Sequence, residues 1–216
     1  MTAKIKLNAA SGGGSFSIQA PTSSSNNRVF TLPDVANETL LTSSTSTGKI
    51  LQVVATNVSA TSSVSLTNHS TLYATPCTVN ITSIGTNSKF LITGAISGEG
   101  TTGDHDYGFV TRRTIGGSGS SINVGASSGS RIAITRTASV GFQDPNNDST
   151  SGSSHIAPYL DSPSQAAGTT ITYSFDIIEH GTNNNTTFYF NRTVADGNNA
   201  YHERPSSYIT VMEVAA

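Results

Sequence analysis

Tryptophan is absent, Cys77 is the only cysteine, and charged residues fill just 11% of the 216 positions. A single cysteine permits no internal disulfide and no Cys-rich metal knuckle, which excludes disulfide-stapled scaffolds and zinc fingers. With 11 Lys and Arg against 13 Asp and Glu the net charge is -2, so the chain offers no basic field to nucleic acid or to an anionic membrane. No stretch approaches the ~18 consecutive apolar residues of a membrane span. The opening MTAKIKLNAASGGGS lacks the apolar core of a signal peptide, so synthesis in the cytoplasm without secretion or membrane insertion is expected. Helical periodicity is missing too: no ten residues repeat apolar side chains at i, i+3, i+4 and i+7. What the chain does hold is 33 Ser, 31 Thr, 17 Asn and 20 Gly, close to half of it. Threonine at that level favours strands, and the other three favour turns. The composition therefore points to an all-β protein, of a kind commoner among structural and adhesive proteins than among enzymes.

Residues 1–47 differ from the remainder. Their apolar side chains come in short beats, Ile5 and Leu7, then Phe16 and Ile18, then Val29, Phe30 and Leu32, separated by Gly12-Gly13-Gly14 and the polar Thr22–Asn27. Each beat alternates with polar residues at the strand period but is too short to bury a face alone. Two readings fit: a disordered Ser/Gly/Asn tail, or short extended strands that dock on a partner or intertwine with copies of themselves. The second better explains the repeated beats. Leu40-Leu41 and the Ser/Thr-rich run to Gly48 then read as a hinge.

From residue 48 to 216, strands are expected at Ile50–Val58, Thr78–Ile84, Lys89–Ile96, Tyr107–Ile115, Arg131–Ala138, His155–Asp161, Thr169–Glu179, Thr187–Val194 and Ser207–Val214. Thr78–Ile84 and Lys89–Ile96 should form a hairpin across Gly85–Ser88. In Thr169–Glu179, Ile171, Tyr173, Phe175 and Ile177 share one face, and Thr170, Thr172, Ser174 and Asp176 the other. Eight or nine strands in such a length imply an antiparallel jelly-roll-like sandwich, with the Gly/Ser-rich Gly116–Ser130 lying between two strands and Gly116–Gly119 within it a flexible turn. Two of these strands are apolar on both faces: Phe188-Tyr189-Phe190, and the one carrying Tyr208, Ile209, Val211 and Met212. A strand central between two sheets would account for this. So would a second subunit covering one face, which makes Phe188, Tyr189, Phe190, Tyr208 and Met212 candidate interface residues.

Chemistry is sparse. Asp104-His105-Asp106 places two carboxylates on one side of an extended segment, a pattern that grips Ca²⁺, but a polar turn is the plainer reading. Asp144-Pro145-Asn146-Asn147-Asp148 offers oxygens without the EF-hand glycine or distal glutamate, and reads as a solvated loop. His155, His180 and His202 share no metal-binding spacing. Gly117-Ser118-Gly119 is no nucleophile elbow, and no glycine run ends in the Lys-Ser/Thr of a phosphate loop. Arg112, Arg113, Arg131 and Arg136 offer at most a small basic face, and it is weakened because neighbouring strand residues point to opposite sides. No catalytic residue, cofactor or metal is expected. Carboxylates brought together only in three dimensions, as in a polysaccharide-degrading tailspike, are the one enzymatic reading left.

Several strings carry a family likeness. SIQAP (Ser17–Pro21), FTLPD (Phe30–Asp34), LLTS (Leu40–Ser43) and GKILQVV (Gly48–Val54) resemble the connector of bacteriophage fibre proteins, especially from phages of marine and freshwater bacteria. LDSP (Leu160–Pro163), ITYSFDI (Ile171–Ile177), FNR (Phe190–Arg192) and SSYITVMEV (Ser206–Val214) resemble the carboxy-terminal domains of those virion proteins. That domain type is similar to the trimeric jelly roll of the tumour-necrosis-factor and complement-C1q class. The resemblance implies a homotrimeric, non-enzymatic fibre or appendage on the surface of a phage particle. In it, residues 1–47 would attach to other virion proteins and residues 48–216 would form the head. So short an N-terminal region argues against a long shaft, and favours a short tail, neck or head appendage, or a capsid-decorating trimer. If the head contacts a host glycan or protein, the polar loops carrying Asp104, Asp106, Tyr107, Asn146, Asn147, Tyr159, Asn198 and Tyr201 are the candidate receptor-facing residues.

Overall fold

The computed structural model describes residues 4–8, 11–19, 22–23, 25, 49–101, 107–138, 150–179 and 186–216, and divides the chain into two compact units, Met1–Thr42 and Ser43–Ala216. No helix occurs among the described residues. The third apolar beat, the hinge run, Asp104, Asp106, Asn146, Asn147 and His180 lie outside them.

In the first unit the two leading beats form an antiparallel hairpin of β1 (Lys4–Asn8) and β2 (Ser15–Gln19). Gly12 and Gly13 turn the chain at φ of 87° and 70°, a region where side-chain-bearing residues are strained. The register sets Ile5 opposite Ile18 and Leu7 opposite Phe16, so the apolar positions share one side. Ile5, Leu7 and Ile18 are exposed.

The second unit contains β3 (Ile50–Val58), β4 (Ser62–Leu66), β5 (Thr78–Thr82), β6 (Lys89–Gly100), β7 (Tyr107–Ile115), β8 (Ser118–Ile122), β9 (Arg136–Thr137), β10 (Gly152–Asp161), β11 (Thr170–Glu179), β12 (Thr186–Phe190) and β13 (Ser207–Val214). These make two antiparallel sheets. The first runs β10-β6-β13-β3, with β12 and β4 prolonging the β13 and β3 columns along the far part of β6. The second runs β5-β11-β7-β8, with β9 against the start of β7. β3 pairs with β13, β5 with β11, β6 with β10 and β7 with β8. First-with-last pairing nested in this way is a long hairpin rolled over on itself, so the expected jelly-roll-like all-β sandwich is the observed fold.

Three expectations about the strands need correction. β5 and β6 form no hairpin; they belong to different sheets, and residues 83–88 cross between the layers. The Glu213 carboxylate holds that crossing by accepting the Ile84 and Gly85 N–H groups. The Gly116–Ser130 stretch contains β8, because Gly116 and Gly117, at φ of 56° and 83°, make the two-residue turn that folds it onto β7. Of Arg131–Ala138, only Arg136–Thr137 is strand.

The core lies between the sheets. β11 presents Ile171, Tyr173, Phe175 and Ile177 inward, all fully buried, as its alternation requires. Against them pack Phe90, Ile92, Ile96, Ile209 and Val211 of the first sheet. An aromatic cluster closes one end: the Phe188 ring lies 5.0 Å from Phe190, 5.7 Å from Tyr107 and 5.8 Å from Phe109. Asp161 at the end of β10 bolts the layers together, accepting two bonds from Arg113 (2.8 and 3.0 Å) and one from the Tyr173 hydroxyl (2.8 Å). Burial and the adjacent carboxylate push the Tyr173 hydroxyl far above its ordinary pKa. At the junction of columns, Asn191 donates to the Val58 and Ala60 carbonyls (2.9 Å each) and accepts from Ser207 (2.6 Å).

Candidate functional site

The two outer faces of the sandwich differ in chemistry. On the second sheet Thr78, Asn80 and Thr82 of β5 line up with Ser174, Thr172 and Thr170 of β11, and Arg112 and Thr114 of β7 continue the rows. These side chains satisfy one another. Thr82 bonds Thr170 (3.1 Å), Thr172 donates to Asn80 (2.7 Å), Ser174 donates to Asp176 (2.7 Å), and Arg112 stands 3.6 Å from Asp176. The half carrying Asn80, Thr82 and Thr170 is exposed, whereas towards the other end Ser174, Asp176, Val110 and Ile178 are buried.

The outer face of the first sheet is built from the positions that alternate with buried Ile209, Val211, Phe90 and Ile92. One row crosses four strands as Val53, Met212, Leu91 and Leu160, each directly opposite the next. A parallel row reads Asn57, Tyr208, Ala95 and His155, and between them lie Ala55, Thr210 and Thr93. Val53 is 55% exposed, Leu160 48% and Tyr208 37%, while Met212 and Leu91 are half-buried. Among the described residues of these rows none is an acid, a lysine or an arginine; Lys89 lies beyond them beside Val214, and Glu99 beyond them at the other end of β6. The apolar part of this face is thus the row of Val53, Met212, Leu91 and Leu160 with Tyr208 beside it, whereas Asn57, His155, Thr210 and Thr93 are polar and Ala95 is buried.

This geometry sorts the residues named from the sequence. Tyr208 and Met212 lie on the open face. Phe188 and Phe190 do not, being 1% exposed in the aromatic core of the sandwich. Of the three aromatics only Tyr189 points outward from β12, and the Arg192 guanidinium covers its ring at 4.0 Å from the centroid. The Phe188–Phe190 strand therefore needs no second subunit, because its two core aromatics sit at alternate positions and its third is capped locally. Tyr107 is no receptor-facing residue: it begins β7 with its ring buried against Phe188. Tyr159 is not in a loop but in β10, half-buried against the core. Asn198 and Tyr201 are exposed on the loop between β12 and β13. Val53, Leu91 and Leu160 were not singled out from the sequence, although Phe90-Leu91-Ile92 carries the same doubly apolar signature as Tyr208–Met212.

No group of three or more His, Cys, Asp or Glu residues converges among the described residues. The Arg112 and Arg113 side chains go to opposite sides of β7, to Asp176 and Asp161. No protein-family model matches the chain, and no curated protein sequence does.

Proposed function

We propose that this protein is a non-enzymatic structural component of a bacteriophage particle, a short homotrimeric fibre or appendage whose jelly-roll head contacts the host surface. The observation that carries self-association is the one-sided chemistry of the sandwich. The exposed part of its second sheet, around Asn80, Thr82 and Thr170, is polar and hydrogen-bonded within itself, whereas the first offers Val53, Met212, Leu91, Leu160 and Tyr208 with no charge among them. The number three and the setting on a virion rest on the resemblance of the strings in both halves of the chain, with which the jelly-roll architecture agrees. The apolar side of the β1–β2 hairpin supports a docking role for residues 1–47. A lone two-stranded hairpin is marginal in water, so Ile5, Leu7 and Ile18 call for a covering partner.

Light scattering of the purified chain tests the assembly. A stable trimer is expected, and Leu91→Asp should give soluble, folded monomers, because Leu91 is half-exposed in one subunit and buried only in the assembly. A monodisperse monomer of the unmodified chain would refute the oligomer. Failure of antibodies against the chain to label phage particles by immunogold microscopy would refute the virion assignment.

A further inference from the structure

We propose that the loop from Asn191 to Ser206 is a binding site for an uncharged saccharide unit, which stacks on Tyr201 and is held by the carboxamide of Asn198. The inference deepens the adhesive part of the function proposed above and rests on it for the biological target, though not for binding itself. The loop has no regular secondary structure, yet it is fixed along its length. Asn191 anchors its start to the Val58 and Ala60 carbonyls. The Val194 N–H donates to Glu99 (2.7 Å), and the Ser97 hydroxyl donates to the Ser206 carbonyl (3.3 Å), so the loop lies over the outer side of β6 there. Asp196 takes Arg192 at 2.8 Å and Arg204 at 2.6 Å, and Glu203 accepts the Ser151 N–H at 3.0 Å. His202 accepts the Gly197 N–H at Nδ1 (2.6 Å), which leaves the ring proton on Nε2.

On this frame Tyr201 is 63% exposed, the largest exposure of any described aromatic side chain, and its ring is braced by His202 with centroids 4.9 Å apart. Asn198 and Asn199 are exposed beside it in the chain. An aromatic ring held outward accepts the C–H face of a pyranose, and a carboxamide supplies the donor and acceptor that vicinal hydroxyls need. Because the loop is already ordered, binding forfeits little conformational entropy. Arg192, Arg204, Asp196 and Glu203 sum to zero charge and are engaged with one another or with Ser151, which favours an uncharged sugar over an acidic one.

Saturation-transfer NMR on the full chain decides it, with methyl α-glucopyranoside, methyl β-galactopyranoside and N-acetylglucosamine as probes and N-acetylneuraminic acid as the acidic comparison. Transfer to the ring protons of at least one neutral sugar is expected, weakened about tenfold by Tyr201→Ala and retained by Tyr201→Phe. Transfer to no neutral sugar, transfer to the acidic sugar alone, or undiminished binding by Tyr201→Ala overturns the proposal. Light scattering on the same samples keeps the two ideas apart. A monomer that binds sugar overturns only the oligomer, a trimer that binds none overturns only this site, and a Tyr201→Ala variant that dissociates assigns the ring to the subunit interface instead.

Discussion

Replacing Glu213 by Gln should destabilise the head by a predictable amount and with a predictable dependence on pH. The side chain is fully buried on the inner side of β13 and accepts bonds from the Ile84 N–H (2.9 Å), the Gly85 N–H (2.9 Å), the Ser83 hydroxyl (3.2 Å) and Gln52 Nε2 (2.6 Å). Burial by itself raises a carboxyl pKa, but the bonds from Gly85, Gln52 and Ile84 outweigh it and hold Glu213 below the ordinary value. The folded-state pKa is thus lower than the unfolded value of about 4.3. The contribution to stability is therefore complete above that pH and is lost as pH falls through the folded pKa. A glutamine turns one acceptor oxygen into an NH₂ facing N–H donors. One buried donor left unmet costs about 1–3 kcal/mol, and the remaining bonds weaken from charge-assisted to neutral. Together these come to about 2–4 kcal/mol, or about 5–15 °C in Tm for a chain of this length. Thermal unfolding at one fixed protein concentration, from pH 7 down to pH 3, measures both quantities. The gap between parent and variant should be widest at pH 7 and narrow below pH 4. A Tm within about 1 °C of the parent at pH 7, or a gap that ignores pH, would refute the role given to this carboxylate.

Gly94→Ala should lower the denaturation midpoint, because a β-carbon there would run into the Tyr208 carbonyl and the Phe175 ring; overpacking of this kind costs about 1–3 kcal/mol, and an unchanged midpoint in a urea titration would contradict the close approach of β6 and β13. Cys77 is fully buried and burial pushes its thiol pKa up to about 11, so Ellman's reagent at pH 8 should find no thiol in the native protein and one per chain in guanidinium. Tyr173 should stay protonated through an alkaline absorbance titration until the fold is lost, and its ionisation along with the exposed tyrosines would contradict its place between the Asp161 carboxylate and the core.

Much of the fold was legible because alternation is a local property. β3, β7 and β13 run between the residues at which their apolar patterns begin and end, and Ile171, Tyr173, Phe175 and Ile177 are buried on the face their period assigns. β4 and β8 were illegible: Ser62–Leu66 has two apolar residues and Ser118–Ile122 one, too few to show a period, and besides the packing of Leu66, Val64 and Ile122 on the core they are held by backbone bonds to β12 and β7, which carry no side-chain signature. Of the candidate site, Tyr208 and Met212 were readable as a strand with too many apolar faces. Which side met the core was not, and for Phe188–Phe190 the same signal led elsewhere, since a guanidinium from Arg192 covers the odd ring. Period, strand extent and the balance of apolar and polar positions were settled by the sequence alone, because each depends on neighbours in the chain. Partners across the sheets were settled only by the tertiary structure. Val53, Leu91, Leu160 and Met212 become one uncharged row through pairings between residues far apart in the chain, and no local preference encodes that register.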